Sequence, residues 1–161
     1  MQALLTAFSD TSSEMLVRSI SEYDQLILEN DKAISVKQLE QALQKGNYRY
    51  VFSFGQRSVI KDKVHIEHQA FIDNETLETF FDINKLKKAF EDCRITVKLS
   101  HNAGTSYCNN IYYNGMKMIA KKHMNTKMVF IHIPYMKNIS NSEDFFHLIE
   151  KGIKNFLLED T

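Results

Sequence analysis

Short, dense apolar runs alternate along this chain with longer stretches whose apolar residues recur every three to four positions. Residues 2–8 read as a strand, 12–20 as a short helix and 25–28 as a second apolar run. In 35–44, Val36, Leu39 and Leu43 share one helical face, and Gly46 stands where a C-terminal cap belongs. Residues 50–54 form a dense apolar strand closed by Gly55. Between 64 and 71, Val64, Ile66 and Ala70 alternate with His65, Glu67 and Gln69, the pattern of a strand with one exposed face. Residues 83–93 predict a second amphipathic helix, and 95–99 another strand. A long helix over 106–123 is interrupted only by Gly115. Residues 128–133 are the most apolar strand, and 145–158 close the chain as a helix.

Strand and helix thus alternate almost throughout, which predicts a three-layer α/β/α fold with a mainly parallel twisted sheet. With one proline and five glycines there is no flexible linker, and 161 residues suit a single domain spanning 1–161. In such sheets ligands bind outside the carboxyl ends of the strands. That rule directs the search for chemistry.

Composition narrows the function class by exclusion. Lys+Arg and Asp+Glu both total 20, so no net field draws the chain to nucleic acid or an anionic membrane. The first residues lack the basic and apolar segments of a signal peptide, and no apolar run approaches the ~20 residues of a membrane span. Cys93 and Cys108 read as separate thiols in a reducing compartment, so a cytoplasmic location is expected.

Two segments satisfy the strand-end rule and carry reactive groups. In 100–110 the chain leaves a strand, turns at Ala103-Gly104 and sets Cys108 in the first turn of the next helix. The partial positive charge of a helix start lowers a thiol pKa, and its free N–H groups can receive an oxyanion. In 130–135, His132 lies at the end of an apolar strand, just before Pro134 halts pairing. One helix and one turn separate the two, so a strand–helix–strand unit can bring them to one sheet edge. The imidazole would then take the thiol proton. Alone, Cys108 reads equally as a small buried apolar residue and His132 as a core histidine satisfied by backbone.

A family resemblance enters at these residues. Ser100-His101-Asn102-Ala103-Gly104-Thr105-Ser106-Tyr107-Cys108-Asn109, followed by Tyr112 and Tyr113, resembles the active-site cysteine motif of the pyroglutamyl peptidase I family. Phe130-Ile131-His132-Ile133-Pro134 resembles its histidine motif. The resemblance implies a phosphorylase/hydrolase-like fold, with Cys108 as nucleophile, His132 as general base and Glu67 as the carboxylate orienting the histidine. Phe52-Ser53-Phe54-Gly55-Gln56-Arg57 is similar to the family's glycine-glutamine stretch, which puts Gln56 beside the substrate, with Phe8 and Tyr107 as further walls. It implies a substrate peptide with an N-terminal pyroglutamyl residue, no cofactor, and a homo-oligomer.

The likeness is uneven. Ala7 stands where the family has glycine, and Ser9-Asp10-Thr11-Ser12-Ser13 replaces its proline-phenylalanine-diglycine stretch. Ser106 stands where an aromatic residue is common, and the segment from Glu67 to Cys108 is short. A related cysteine amidase for another small acyl group, or a binding homologue without turnover, therefore stays open beside the peptidase.

Other signals are weaker. His65 and His68 would point to opposite faces of a strand and so do not suit one metal ion. Cys93 reads as core. Tyr112, Tyr113, Met116 and Met118 read as helix packing, and Lys117, Lys121 and Lys122 as a solvated face.

Overall fold

A computed structural model of the chain describes residues 3–160, so Gln2, the expected start of the first strand, lies outside the described residues. The elements follow in the order β1 (Ala3–Phe8), α1 (Ser12–Ser19), β2 (Asp24–Leu28), α2 (Lys32–Lys45), β3 (Tyr50–Arg57), β4 (Lys63–Glu67), β5 (Gln69–Ile72) and β6 (Glu75–Glu78). Then come α3 (Ile83–Asp92), β7 (Thr96–Ser100), α4 (Tyr107–Lys121), β8 (Lys127–Pro134) and α5 (Ser142–Glu159).

Six strands form one sheet in the order β2-β1-β3-β8-β4-β7. Strands β2, β1, β3 and β8 are mutually parallel, whereas β4 runs antiparallel to β8 and carries β7 parallel beside it. The expected α/β fold with a mainly parallel sheet is the observed one. Helices α1, α3 and α5 bury Leu16, Phe90 and Phe156 against one face, where Leu5, Phe54 and Ile131 point. Helices α2 and α4 bury Leu39 and Ile111 against the other, where Leu4, Val51 and Phe130 point. Alternation along each strand feeds both cores, which makes three layers. Among the described residues no helix is long and apolar enough to cross a membrane.

The helix starts are set by short polar side chains that accept from backbone N–H groups. Thr11, Asp31, Asp82 and Asn141 accept from Glu14, Ile34, Lys85 and Asp144 respectively. Helix α4 differs, since Ser106 at its N-cap makes no such bond.

Three expectations need correction. Residues 64–71 are not one strand: the chain breaks at His68, whose N–H donates to Ser100 O at 2.7 Å. From Gln69 it pairs with β6 in a separate antiparallel hairpin, turning at Asp73 with φ 54°. Nor is the polar side of β4 exposed, because His65 and Glu67 are 7% and 0% exposed. The alternation marks two interiors, one apolar and one polar, since the sheet is covered on both faces. The unit joining Cys108 to His132 is also different from the one expected. Strands β7 and β8 are not neighbours, and β4 lies between them with β8 antiparallel to it.

Candidate active site

Gly55 and His132 are register partners on adjacent parallel strands, so both face the α2/α4 layer near the carboxyl edge of the sheet. Helix α4 lays Cys108 against this spot. A Cβ placed on Gly55 would fall 2.5 Å from Cys108 Sγ and 2.7 Å from the Phe130 ring. The sulfur therefore occupies the space that the missing side chain leaves. It sits on the strand next to the imidazole, in the same row of the sheet.

His132 is 3% exposed and its Nδ1 lies 3.0 Å from Glu67 Oε1. That bond uses one ring nitrogen and leaves Nε2 free for proton transfer. The antiparallel pairing of β4 with β8 sets Glu67 opposite Phe130, one step diagonal from His132 on the same face. Its backbone is held as well, because the Tyr112 hydroxyl donates to Glu67 O at 2.8 Å. Tyr112 thus does more than the packing its helical spacing suggested.

Arg57, at the end of β3, completes this group. Its guanidinium donates to Glu67 Oε1 at 3.3 Å and to Asn102 O at 2.9 Å. The cation compensates a carboxylate that is wholly withdrawn from water. Sequence reading assigned Arg57 no role of its own beyond its place in the stretch that ends Gly55-Gln56-Arg57. Its position two residues beyond Gly55, on the same face of one strand, was the available signal.

The thiol departs from the expectation of a lowered pKa. Burial pushes the Cys108 thiol up to about 12; Arg57 works against that rise and Glu67 adds to it. Desolvation outweighs the helix start, so the sulfur rests protonated and must lose its proton as it attacks. A neighbouring base is then a requirement. The uncapped start of α4 leaves its first N–H groups without a side-chain acceptor, and the Cys108 N–H points at its own sulfur.

The remaining expected residues divide. Phe8 is buried at the end of β1, and its ring centroid lies 5.8 Å from that of Tyr107, which precedes the thiol. The two form a tilted aromatic pair beside Cys108. Gln56 instead points to the opposite face, where its Oε1 accepts from Ser12 N at 3.0 Å. It lines a separate cavity of about 570 Å³ with Ser12, Glu14, Tyr135 and Lys137. A larger cavity of about 620 Å³ lies by the other end of α4, between Leu77, Phe80, Met124 and Met128.

Asn109 was not singled out from the sequence. It is 6% exposed, and its amide makes two bonds with the Phe71 backbone, at 3.0 and 2.7 Å. The β5–β6 hairpin is thereby clamped to α4 one residue beyond the thiol.

Comparison with known proteins bears on the family and the fold. The family model for pyroglutamyl peptidase matches residues 60–145. The pyrrolidone-carboxylate peptidase of Thermosipho melanesiensis is 31% identical over 97 residues, covering 58% of this chain and 44% of that protein. That of Thermosipho africanus is 39% identical over 54 residues, 34% of this chain and 26% of its own length. The chain therefore matches less than half the length of these relatives. Among solved structures, a mutant pyrrolidone carboxyl peptidase from Pyrococcus furiosus superposes with a TM-score of 0.85 at 17% identity, covering all of both chains. The enzyme from Thermococcus litoralis gives 0.83 at 17% identity, over 99% of this chain and 96% of that one.

Proposed function

This chain belongs to the pyroglutamyl peptidase family, and from that premise we propose that it is a cysteine peptidase removing N-terminal pyroglutamate from peptides. One observation carries the reading: a sulfur seated over Gly55, beside a histidine whose far nitrogen is held by a buried glutamate.

Cys108 is the nucleophile. His132 Nε2 takes its proton while Sγ attacks the pyroglutamyl carbonyl, because a thiol pushed up to about 12 holds little thiolate at rest. Glu67 steadies the imidazolium that forms, and Arg57 pairs with that carboxylate from the end of β3. The developing oxyanion is received by N–H groups at the uncapped start of α4. His132 then returns the proton to the leaving amine, and the C–N bond breaks to leave a thioester. Water, deprotonated by His132, hydrolyses the thioester and releases free pyroglutamate. No step calls for a cofactor.

Phe8 and Tyr107 supply the walls for the lactam ring. Gln56 lies on the opposite face of the sheet, where it fixes the start of α1 through Ser12 and does not wall the ring. A single catalytic domain over 1–161, assembly into a homo-oligomer and a cytoplasmic location belong to the same proposal. The two free cysteines, Cys93 and Cys108, suit a reducing compartment.

The test is release of p-nitroaniline from pyroglutamyl p-nitroanilide by the intact chain, by Cys108→Ser and after iodoacetamide. Release that depends on Cys108 supports the peptidase. Alkylation of Cys108 without release favours an amidase for another acyl group. Inertness in both tests overturns catalysis and leaves a binding homologue.

A further inference from the structure

His65 stands beside the catalytic imidazole and is not used by the chemistry above. Gly55, His132, His65 and Lys98 are successive register partners across β3, β8, β4 and β7, so their side chains leave the sheet on one face. His65 is 7% exposed, and neither ring nitrogen has a hydrogen-bond partner among the described residues. A buried polar group without a partner is costly, and next to a reactive centre it implies an absent one.

The state of the ring fits such a role. Burial lowers its pKa to about 4; Glu67 opposes the shift, and Lys63, Arg57 and Lys98 reinforce it. With His132 facing it from β8, every neighbouring strand presents a cationic or titratable group. The imidazole is therefore neutral near neutrality and offers one N–H donor and one acceptor.

Direction along the sheet decides what reaches it. The order β1-β3-β8-β4 places Phe8, then the sulfur over Gly55, then His132, then His65. Adjacent strands lie about 4.8 Å apart. A substrate with its lactam against Phe8 and Tyr107 and its carbonyl on Sγ sets the leaving amine at His132. The carbonyl of the next residue then falls over His65. Arg57 reaches Glu67 across the same face, and its flexible aliphatic stem can shift while the ion pair is kept.

We propose that His65 is a specificity-determining residue whose ring N–H binds the main-chain carbonyl following the scissile bond, so that the site selects peptides over simple aryl amides. This rests on the peptidase reading above.

The experiment compares kcat/KM for pyroglutamyl-alanine amide and pyroglutamyl p-nitroanilide, which lacks that carbonyl. In His65→Leu the ratio of peptide to anilide falls about tenfold, the size of one hydrogen bond, and His65→Gln restores most of it. Proportional loss on both substrates, or no change in the ratio, overturns the proposal. If the parent chain turns over neither substrate, the peptidase reading fails separately. Calorimetry on Cys108→Ser, with and without His65→Leu, then decides the contact. Equal binding of the dipeptide amide to both variants refutes it, and about tenfold weaker binding without the histidine upholds it.

Discussion

Gly55 and Cys108 are complementary: the sulfur of one fills the volume where the other would carry a methyl group, at 2.5 Å from that virtual Cβ. The Phe130 ring closes the same space at 2.7 Å and is itself fully buried, so neither neighbour can yield easily. Glycine at this strand position is set by the nucleophile's approach. Its backbone is ordinary strand.

Gly55→Ala is therefore expected to displace the sulfur. Overpacking of this kind costs roughly 1–3 kcal/mol of stability. Turnover of a pyroglutamyl anilide should fall far more than the fraction folded. Urea unfolding beside kcat separates the two effects, and an alanine variant with full activity would contradict the packing argument.

The raised Cys108 pKa gives a pH dependence of defined sign. Well below about 12 the thiolate fraction, and with it the iodoacetamide rate, should climb about tenfold per pH unit. An unfolded chain should level off near the ordinary thiol value of ~8.5. The folded value lies above the unfolded one, so folding retains the proton. Stability from this group is complete below the ordinary value and lost as pH rises toward about 12. Cys108→Ala should flatten the alkaline limb of the stability profile by that contribution. Alkylation that saturates near neutrality would show a thiolate already present and refute the buried-thiol picture.

Arg57 and Glu67 should behave as one unit. Arg57→Met leaves a wholly buried carboxylate without its cation, and removing one partner of such a pair costs roughly 3–5 kcal/mol. Glu67→Gln removes the charge, keeps an oxygen for His132 Nδ1, and should lower kcat by about two to four orders of magnitude. In the double variant the neutral amide no longer needs the guanidinium. Its loss of stability should then be smaller than the sum of the single losses by about 1 kcal/mol or more. Simple additivity would mean that the pair is not coupled.

The sequence carried the backbone of this arrangement and lost its connections. The strand end at Phe8 and the strands carrying Gly55 and His132 were legible as dense apolar runs, although β3 continues to Arg57 and β8 pairs through Pro134. The helix start before Cys108 was legible from Ala103-Gly104. Glu67 came from resemblance alone. Its alternation with Val64 and Ile66 gave the right period, but period does not tell a polar interior from solvent. The lowered thiol pKa failed for a related reason: a helix start is visible in sequence, whereas the burial that outweighs it comes from Gly55 and Phe130 on other strands. Gln56 was placed near the right glycine but on the wrong face, since one residue along a strand reverses the side. Arg57, Asn109 and His65 depend on contacts across 10, 38 and 67 positions. No local pattern announces those of Asn109 and His65, and for Arg57 its spacing from Gly55 along one strand is the local sign.

Asn109 extends the site to the hairpin. Its amide both accepts from Phe71 N and donates to Phe71 O, which is the pairing a neighbouring strand would provide. A two-stranded hairpin is marginal on its own, so its order depends on what it packs against. Asn109→Ala removes both bonds and leaves the Phe71 backbone unpaired, at a cost of about 1–3 kcal/mol. The loss should be local. Amide hydrogens of 69–78 should exchange at least tenfold faster, while those of β3 and β8 keep their protection. Because Asn109 adjoins Cys108 on the first turn of α4, the variant should also alkylate faster as water reaches the sulfur. Unchanged exchange in the hairpin would show that Leu77 and Ala70 hold it against α4 without the asparagine.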